Sequence, residues 1–69
     1  MTIEELMKRL TDATLHFQRK QELGELSMLE ISHIKRQLEF AYSHIQTKAY
    51  SLADAYINRA NANMNESSR

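Results

Sequence analysis

Apolar residues recur at helical spacing along most of the chain. The first set lies at steps of three and four residues and consists of Ile3, Leu6, Leu10, Ala13 and Phe17. Such a stripe is typical of one face of an amphipathic helix. Thr2 and Glu5 have the spacing of a capping box at its beginning. We therefore predict a helix that begins after Thr2 and runs to about Glu22.

A short connection follows this helix. Gly24 is the chain's only glycine and can adopt the left-handed conformation that ends helices. Ser27 and Glu30 then form a second possible capping box. Helices joined by so few residues are usually antiparallel neighbours, so the first half of the chain is predicted to be a helical hairpin.

The rest of the chain carries a longer apolar stripe, the inner stripe, whose members stay in phase at close to 3.6 residues per turn. Its members are Ile31, Ile34, Leu38, Ala41, Ile45, Ala49, Leu52, Tyr56 and Ala60. Because neither glycine nor proline interrupts it, we favour one helix over residues 28–64. The alternative is a break near 47–51, where Ser51 and Asp54 could form a third capping box. We treat residues 1–64 as a single all-α domain and 65–69 as a frayed polar tail.

The second helix is predicted to be nearly twice as long as the first, so its C-terminal half would lack cover from the first helix. That half nevertheless carries a second apolar seam, formed by Tyr50, Ala53, Ile57, Ala60 and Met64. An apolar stripe that its own chain does not cover needs another protein surface to bury it. We therefore expect a homodimeric helical bundle with this seam as its interface. In the alternative, the segment folds back as a third helix within one subunit.

Composition narrows the possible functions. The chain has 69 residues and no cysteine, which excludes disulfides, thiolate zinc sites and a cysteine nucleophile. Nine basic and nine acidic residues cancel, so net charge does not favour nucleic acid or anionic lipid. No apolar stretch has the length of a membrane span or follows the N-terminus as in a signal peptide, and we expect a cytoplasmic protein.

The sequence offers little catalytic chemistry. His33 and His44 share a helix face, but along one helix they would lie about 16 Å apart, too far to chelate one metal. Glu30 and His33 have the Glu-x-x-His spacing of di-iron bundles, although only one copy is present. No catalytic triad or glycine-rich phosphate loop is recognisable. We predict no enzymatic activity, no metal site and no cofactor.

One ridge of the second helix has the composition of a protein-binding surface. Phe40 lies nearly opposite the inner stripe, among other exposed positions. The predicted partner-binding ridge consists of Leu29, His33, Arg36, Phe40 and His44. Aromatic residues and arginine are enriched where proteins bind one another. Alternatively, the dimer or the tail buries Phe40.

These observations favour a small, non-enzymatic protein-interaction module or regulator that acts as a homodimer and binds a second protein. Small helical hairpins without cysteine are common among bacterial and phage accessory proteins, an analogy of size and class only. A second hypothesis is a nucleic-acid-associated dimer that uses the basic doublets at residues 8–9, 19–20 and 35–36. A third is a structural subunit that polymerises through both apolar stripes of the C-terminal half, the inner stripe and the second seam.

Overall fold

The chain folds into three packed α-helices, and the computed structural model describes residues 2–66. Helix α1 spans Ile3–Glu22, α2 spans Met28–Gln46 and α3 spans Tyr50–Glu66. Within residues 2–66 there is no β-strand. The all-α prediction is therefore confirmed.

Helix α1 has the predicted ends. The Thr2 hydroxyl accepts a hydrogen bond from the Glu5 amide at 3.1 Å. At the other end Gly24 has a φ of 69°, and its amide donates to the Gln21 carbonyl at 3.0 Å. The Glu25 amide donates to the Lys20 carbonyl at 3.0 Å. These two bonds form a Schellman motif, which needs a left-handed residue where Gly24 stands.

Helix α2 begins at the predicted capping box. The Glu30 amide donates to the Ser27 hydroxyl at 3.1 Å, and the Ser27 amide donates to the Glu30 carboxylate at 2.8 Å. Both halves of the box are present, so two amides that have no partner within the helix are satisfied.

The prediction of one continuous helix over residues 28–64 is wrong, because a second Schellman motif ends α2. Lys48 has a φ of 65°, and its amide donates to the Ile45 carbonyl at 3.1 Å. The Ala49 amide donates to the His44 carbonyl at 2.8 Å. A lysine thus occupies the left-handed position that glycine usually fills, at a cost of about 1–2 kcal/mol. The absence of glycine had argued for a continuous helix, and here it misleads.

Chain dimensions agree with the break. A continuous helix over residues 28–64 would be about 55 Å long. The longest axis of the folded chain is 33 Å, and its radius of gyration is 11.7 Å. A compact domain of this length is expected to have a radius of gyration of about 11 Å.

The start and end of α3 differ from the predicted boundaries. The helix begins at Tyr50, so Ser51 lies within it rather than capping it. The side chain of Asp54 pairs with Arg9 on α1 instead of completing a capping box. Asn65 and Glu66, assigned to a frayed tail, belong to α3, and residues 67–69 of that tail lie outside the described residues.

One core cluster lies between the three helices. Its buried members are Leu6, Leu10, Ala13, Phe17, Leu26, Ile34, Leu38, Ala41, Ile45, Ala53, Ile57, Ala60 and Met64. Ile31, Tyr50 and Tyr56 are partly buried against it. The predicted stripes of α1 and α2 supply most of this core, although Ile3 at the start of α1 is 48% exposed.

The seam predicted as a dimer interface lies inside the single chain. Ala53, Ile57, Ala60 and Met64 are each 0% exposed, and Tyr50 is partly buried against the same core. The expectation that this segment lacks cover from its own chain is therefore wrong, because the turn at Lys48 folds α3 back onto α1 and α2. In this fold these residues are not available to a second copy.

Polar contacts fix how α3 sits against the other two helices. The Arg9 guanidinium donates to the carboxylate of Asp54 and to the amide oxygen of Asn58. On the other side the Asn63 Nδ2 donates to the Gln37 Oε1 at 2.9 Å.

Within residues 2–66, none of the helices has the length and apolar character needed to cross a membrane.

Candidate functional site

Tyr56 of α3 is the centre of a group of planar side chains on the α2–α3 face. Its ring centroid lies 5.4 Å from that of Phe40, with the two planes tilted by 53°. The His44 ring is stacked on it at 5.4 Å, with an interplanar angle of 14°. The Arg59 Cζ lies 5.7 Å from the Tyr56 centroid. Aromatic pairs of this kind contribute about 0.5–1.5 kcal/mol each, and an exposed cation–π contact about 0.5–1 kcal/mol.

The register between α2 and α3 brings these residues together. Gln37 meets Asn63 near one end of the helix pair, and His44 meets Tyr56 nearer the turn, so the helices are antiparallel. Side chains three or four positions apart lie on one helix face. Phe40 and His44, which are one turn apart on α2, therefore both contact Tyr56 on α3.

This surface contains rings that pack against one another and apolar side chains that are exposed to solvent. Phe40 is 44% exposed and Leu52, one turn before Tyr56, is 53% exposed. Leu52, Tyr56 and Arg59 also line a shallow depression of about 90 Å³. We name this surface the aromatic patch and define it by Phe40, His44, Leu52, Tyr56 and Arg59.

The partner-binding ridge predicted on α2 divides into two parts. Phe40 and His44 join the aromatic patch. Leu29 and His33 lie at the other end of the α2–α3 face, where they line a separate depression with Asn63 and Glu66. Arg36 is exposed between the two parts, one turn before Phe40.

The sequence did not indicate Tyr56, Leu52 and Arg59 as members of this surface. The sequence pattern predicts Leu52 and Tyr56 in the inner stripe, because it continues in phase from the residues of α2. The turn at Lys48 resets that phase, so Ala53 and Ile57 face the core. Leu52 is then exposed, and Tyr56 is only partly buried. No glycine or proline marks the turn, and the stripe alone contains no signal for this rotation.

Two cations of the basic doublets are engaged within the chain. Arg9 pairs with Asp54. Lys20 is only 4% exposed, and its Nζ lies 3.6 Å from the Glu25 Oε1. Its long aliphatic stem lets it lie at the edge of the core while the ammonium reaches a carboxylate. These contacts reduce the number of cations that could meet phosphates on α1.

Two other features of the fold bear on chemistry. An open groove of about 500 Å³ runs between α1 and α2 and is lined by Phe17, Leu38 and Tyr42, among others. Its polar side chains include Lys35 and Glu39. Within residues 2–66, no group of three or more histidine, aspartate or glutamate side chains could hold a metal ion.

Comparisons with known proteins add no function to this geometry. No family model, no curated protein and no solved structure matches the chain.

Proposed function

We propose that the chain is a non-enzymatic protein-interaction module or regulator, and that it binds a second protein through the aromatic patch. The observation that carries this proposal is the exposure of Phe40, which contacts the Tyr56 ring, and of Leu52, which lies one turn before Tyr56. Soluble domains bury most large apolar side chains, and a group of them on one surface is typical of a binding site.

The construction of the patch suits it to tight contact. The rings of Phe40, His44 and Tyr56 hold one another in place, so little side-chain entropy is lost when a partner packs on them. Aromatic residues and arginine supply most of the large contributions found in protein interfaces. The patch contains both types.

This mode of action does not require a second copy of the chain, because α3 buries its apolar face against α1 and α2. Homodimerisation stays a prediction. In this fold it would use surface outside the core, and sedimentation at several concentrations would detect it. Assembly beyond a dimer would favour the structural-subunit hypothesis instead.

The experiment is a quantitative affinity capture from cells of the source organism with three baits. These are the unchanged protein, Phe40→Ala and Leu15→Ala. Leu15 is the matched control, since it is 58% exposed and lies on α1. Circular dichroism establishes that each bait is folded before it is used.

We expect at least one protein to be retained by the unchanged bait and by Leu15→Ala but lost from Phe40→Ala. Truncating a central interface residue typically costs 2 kcal/mol or more, which is about a 30-fold loss of affinity. If every protein retained by the unchanged bait is retained equally by Phe40→Ala, the patch is not the binding site.

A further inference from the structure

The chain carries no net charge, and within residues 2–66 no acidic side chain lines the depression of the aromatic patch. Glu39 lines the groove against α1, and Asp54 is paired with Arg9. Glu30 and Glu66 line the depression at the opposite end of the α2–α3 face. The remaining acidic residues lie on α1 or in the turn after it and are Glu4, Glu5, Asp12, Glu22 and Glu25.

By contrast, Arg36 lies on the face of α2 that carries Phe40, and Arg59 lies on the face of α3 that carries Tyr56. Arg59 lies over the Tyr56 ring. Arg36 is one turn before Phe40 on the same helix, and both arginines are exposed. Within residues 2–66 no carboxylate is close enough to form an ion pair with either guanidinium. The patch is therefore a locally basic, apolar surface on a neutral molecule.

We infer that the partner docks here through an acidic peptide segment with an apolar anchor. The anchor side chain packs against the exposed surfaces of Phe40, Tyr56 and Leu52, and carboxylates of the segment accept hydrogen bonds from Arg36 and Arg59. Guanidinium groups present paired N–H donors that match a carboxylate. This inference rests on the proposed function and adds the chemistry of the partner.

A single-stranded nucleic acid is the other macromolecule that aromatic rings and arginines can bind. The structure favours the peptide for two reasons. One face of the Tyr56 ring is already covered by His44, which leaves less surface for a base to stack on. The neutral chain also lacks the excess of cations that drives phosphate binding.

The test selects peptides from a random 16-residue library displayed on their own messenger RNA. Four targets are used: the unchanged protein, Phe40→Ala, the double variant Arg36→Glu/Arg59→Glu and the double variant Lys8→Glu/Arg19→Glu. Lys8 and Arg19 are exposed on α1, so the last variant has the same change of charge away from the patch. Binding of selected peptides and of a labelled 12-nucleotide single strand is then measured by fluorescence anisotropy.

We expect the unchanged protein and Lys8→Glu/Arg19→Glu to select peptides rich in aspartate and glutamate around one leucine or aromatic residue. These peptides should bind Arg36→Glu/Arg59→Glu at least tenfold more weakly, and that variant should select basic peptides. Phe40→Ala should lose the selected peptides as well. Raising the salt concentration should weaken binding, since exposed charge pairs are screened.

Several results would each overturn the inference. They are selection without an acidic excess, selection that survives charge reversal at Arg36 and Arg59, and tighter binding of the oligonucleotide than of the peptides at the patch. A library that yields no Phe40-dependent peptide also counts against it. The proposed function fails by a different result, in which the Phe40→Ala bait retains the natural partner as well as the unchanged bait does. The two failures are therefore distinguishable.

Discussion

Replacing Lys48 with glycine tests the turn that separates α2 from α3. The substitution should stabilise the three-helix fold, whereas it should destabilise a continuous helix over residues 28–64. Lys48 has a φ of 65°, a conformation that costs a non-glycine residue about 1–2 kcal/mol. Glycine removes this strain but loses roughly 0.5–1 kcal/mol more backbone entropy on folding. The side chain is exposed, so its removal should cost little. At the midpoints of these two ranges we expect a net stabilisation of about 0.75 kcal/mol.

In a continuous helix the same substitution would destabilise the protein. Glycine in an exposed helix interior costs roughly 0.7 kcal/mol relative to lysine. Lys35→Gly provides the matched control, because Lys35 is exposed within α2 and should show this loss. Gly24→Ala provides the reverse control. Gly24 has a φ of 69° and no atom within 4 Å of an added Cβ, so only backbone strain should destabilise that variant.

The assay is urea and thermal unfolding followed by circular dichroism at 222 nm. For a domain of this size, a change of 1 kcal/mol shifts the midpoint temperature by about 4–8 °C. Lys48→Gly should therefore raise the midpoint by about 3–6 °C, whereas Lys35→Gly lowers it. If both variants are destabilised by similar amounts, the reasoning about the turn is refuted.

Two further substitutions test the core and a helix cap. Ile57→Ala should cost about 2–5 kcal/mol, since Ile57 is 0% exposed, whereas Leu52→Ala on the same helix should change stability by less than about 0.5 kcal/mol. Equal effects in urea unfolding would show that α3 presents a different face to the core. Ser27→Ala should cost about 1 kcal/mol by removing the cap of α2, and the change should lie in the urea midpoint rather than in the slope. No loss of stability would mean that the cap is not formed in solution.

Local signals in the sequence were sufficient for α1 and for the start of α2, but not for the end of α2. Thr2 and Ser27 cap their helices through side-chain hydroxyls, and Gly24 ends α1 through its backbone conformation, so each acts on residues close to it in sequence. The third helix could not be predicted with the same rules. Its boundary depends on Lys48 adopting a conformation that lysine disfavours, which the packing of Ile57 and the rest of α3 against the core compensates.

The candidate site was predictable only in part for the same reason. Phe40 could be identified because it interrupts a polar helix face within α2. Tyr56 and Arg59 could not, since their position beside Phe40 depends on a tertiary contact across the turn. The predicted dimer seam shows the opposite error: Ile57 and Met64 were correctly identified as residues that need cover, but the chain supplies that cover itself.

The most direct test of this account is a nuclear Overhauser measurement between the ring protons of Phe40 and Tyr56. It is recorded on uniformly labelled protein and on an equal mixture of labelled and unlabelled chains with a filter that selects contacts between copies. The structure places the two ring centroids 5.4 Å apart in one chain, whereas a continuous helix would separate these residues by about 24 Å. We predict a cross-peak within the labelled chain and none in the filtered spectrum. Absence of the cross-peak, or its appearance only between copies, would contradict both the three-helix fold and the aromatic patch.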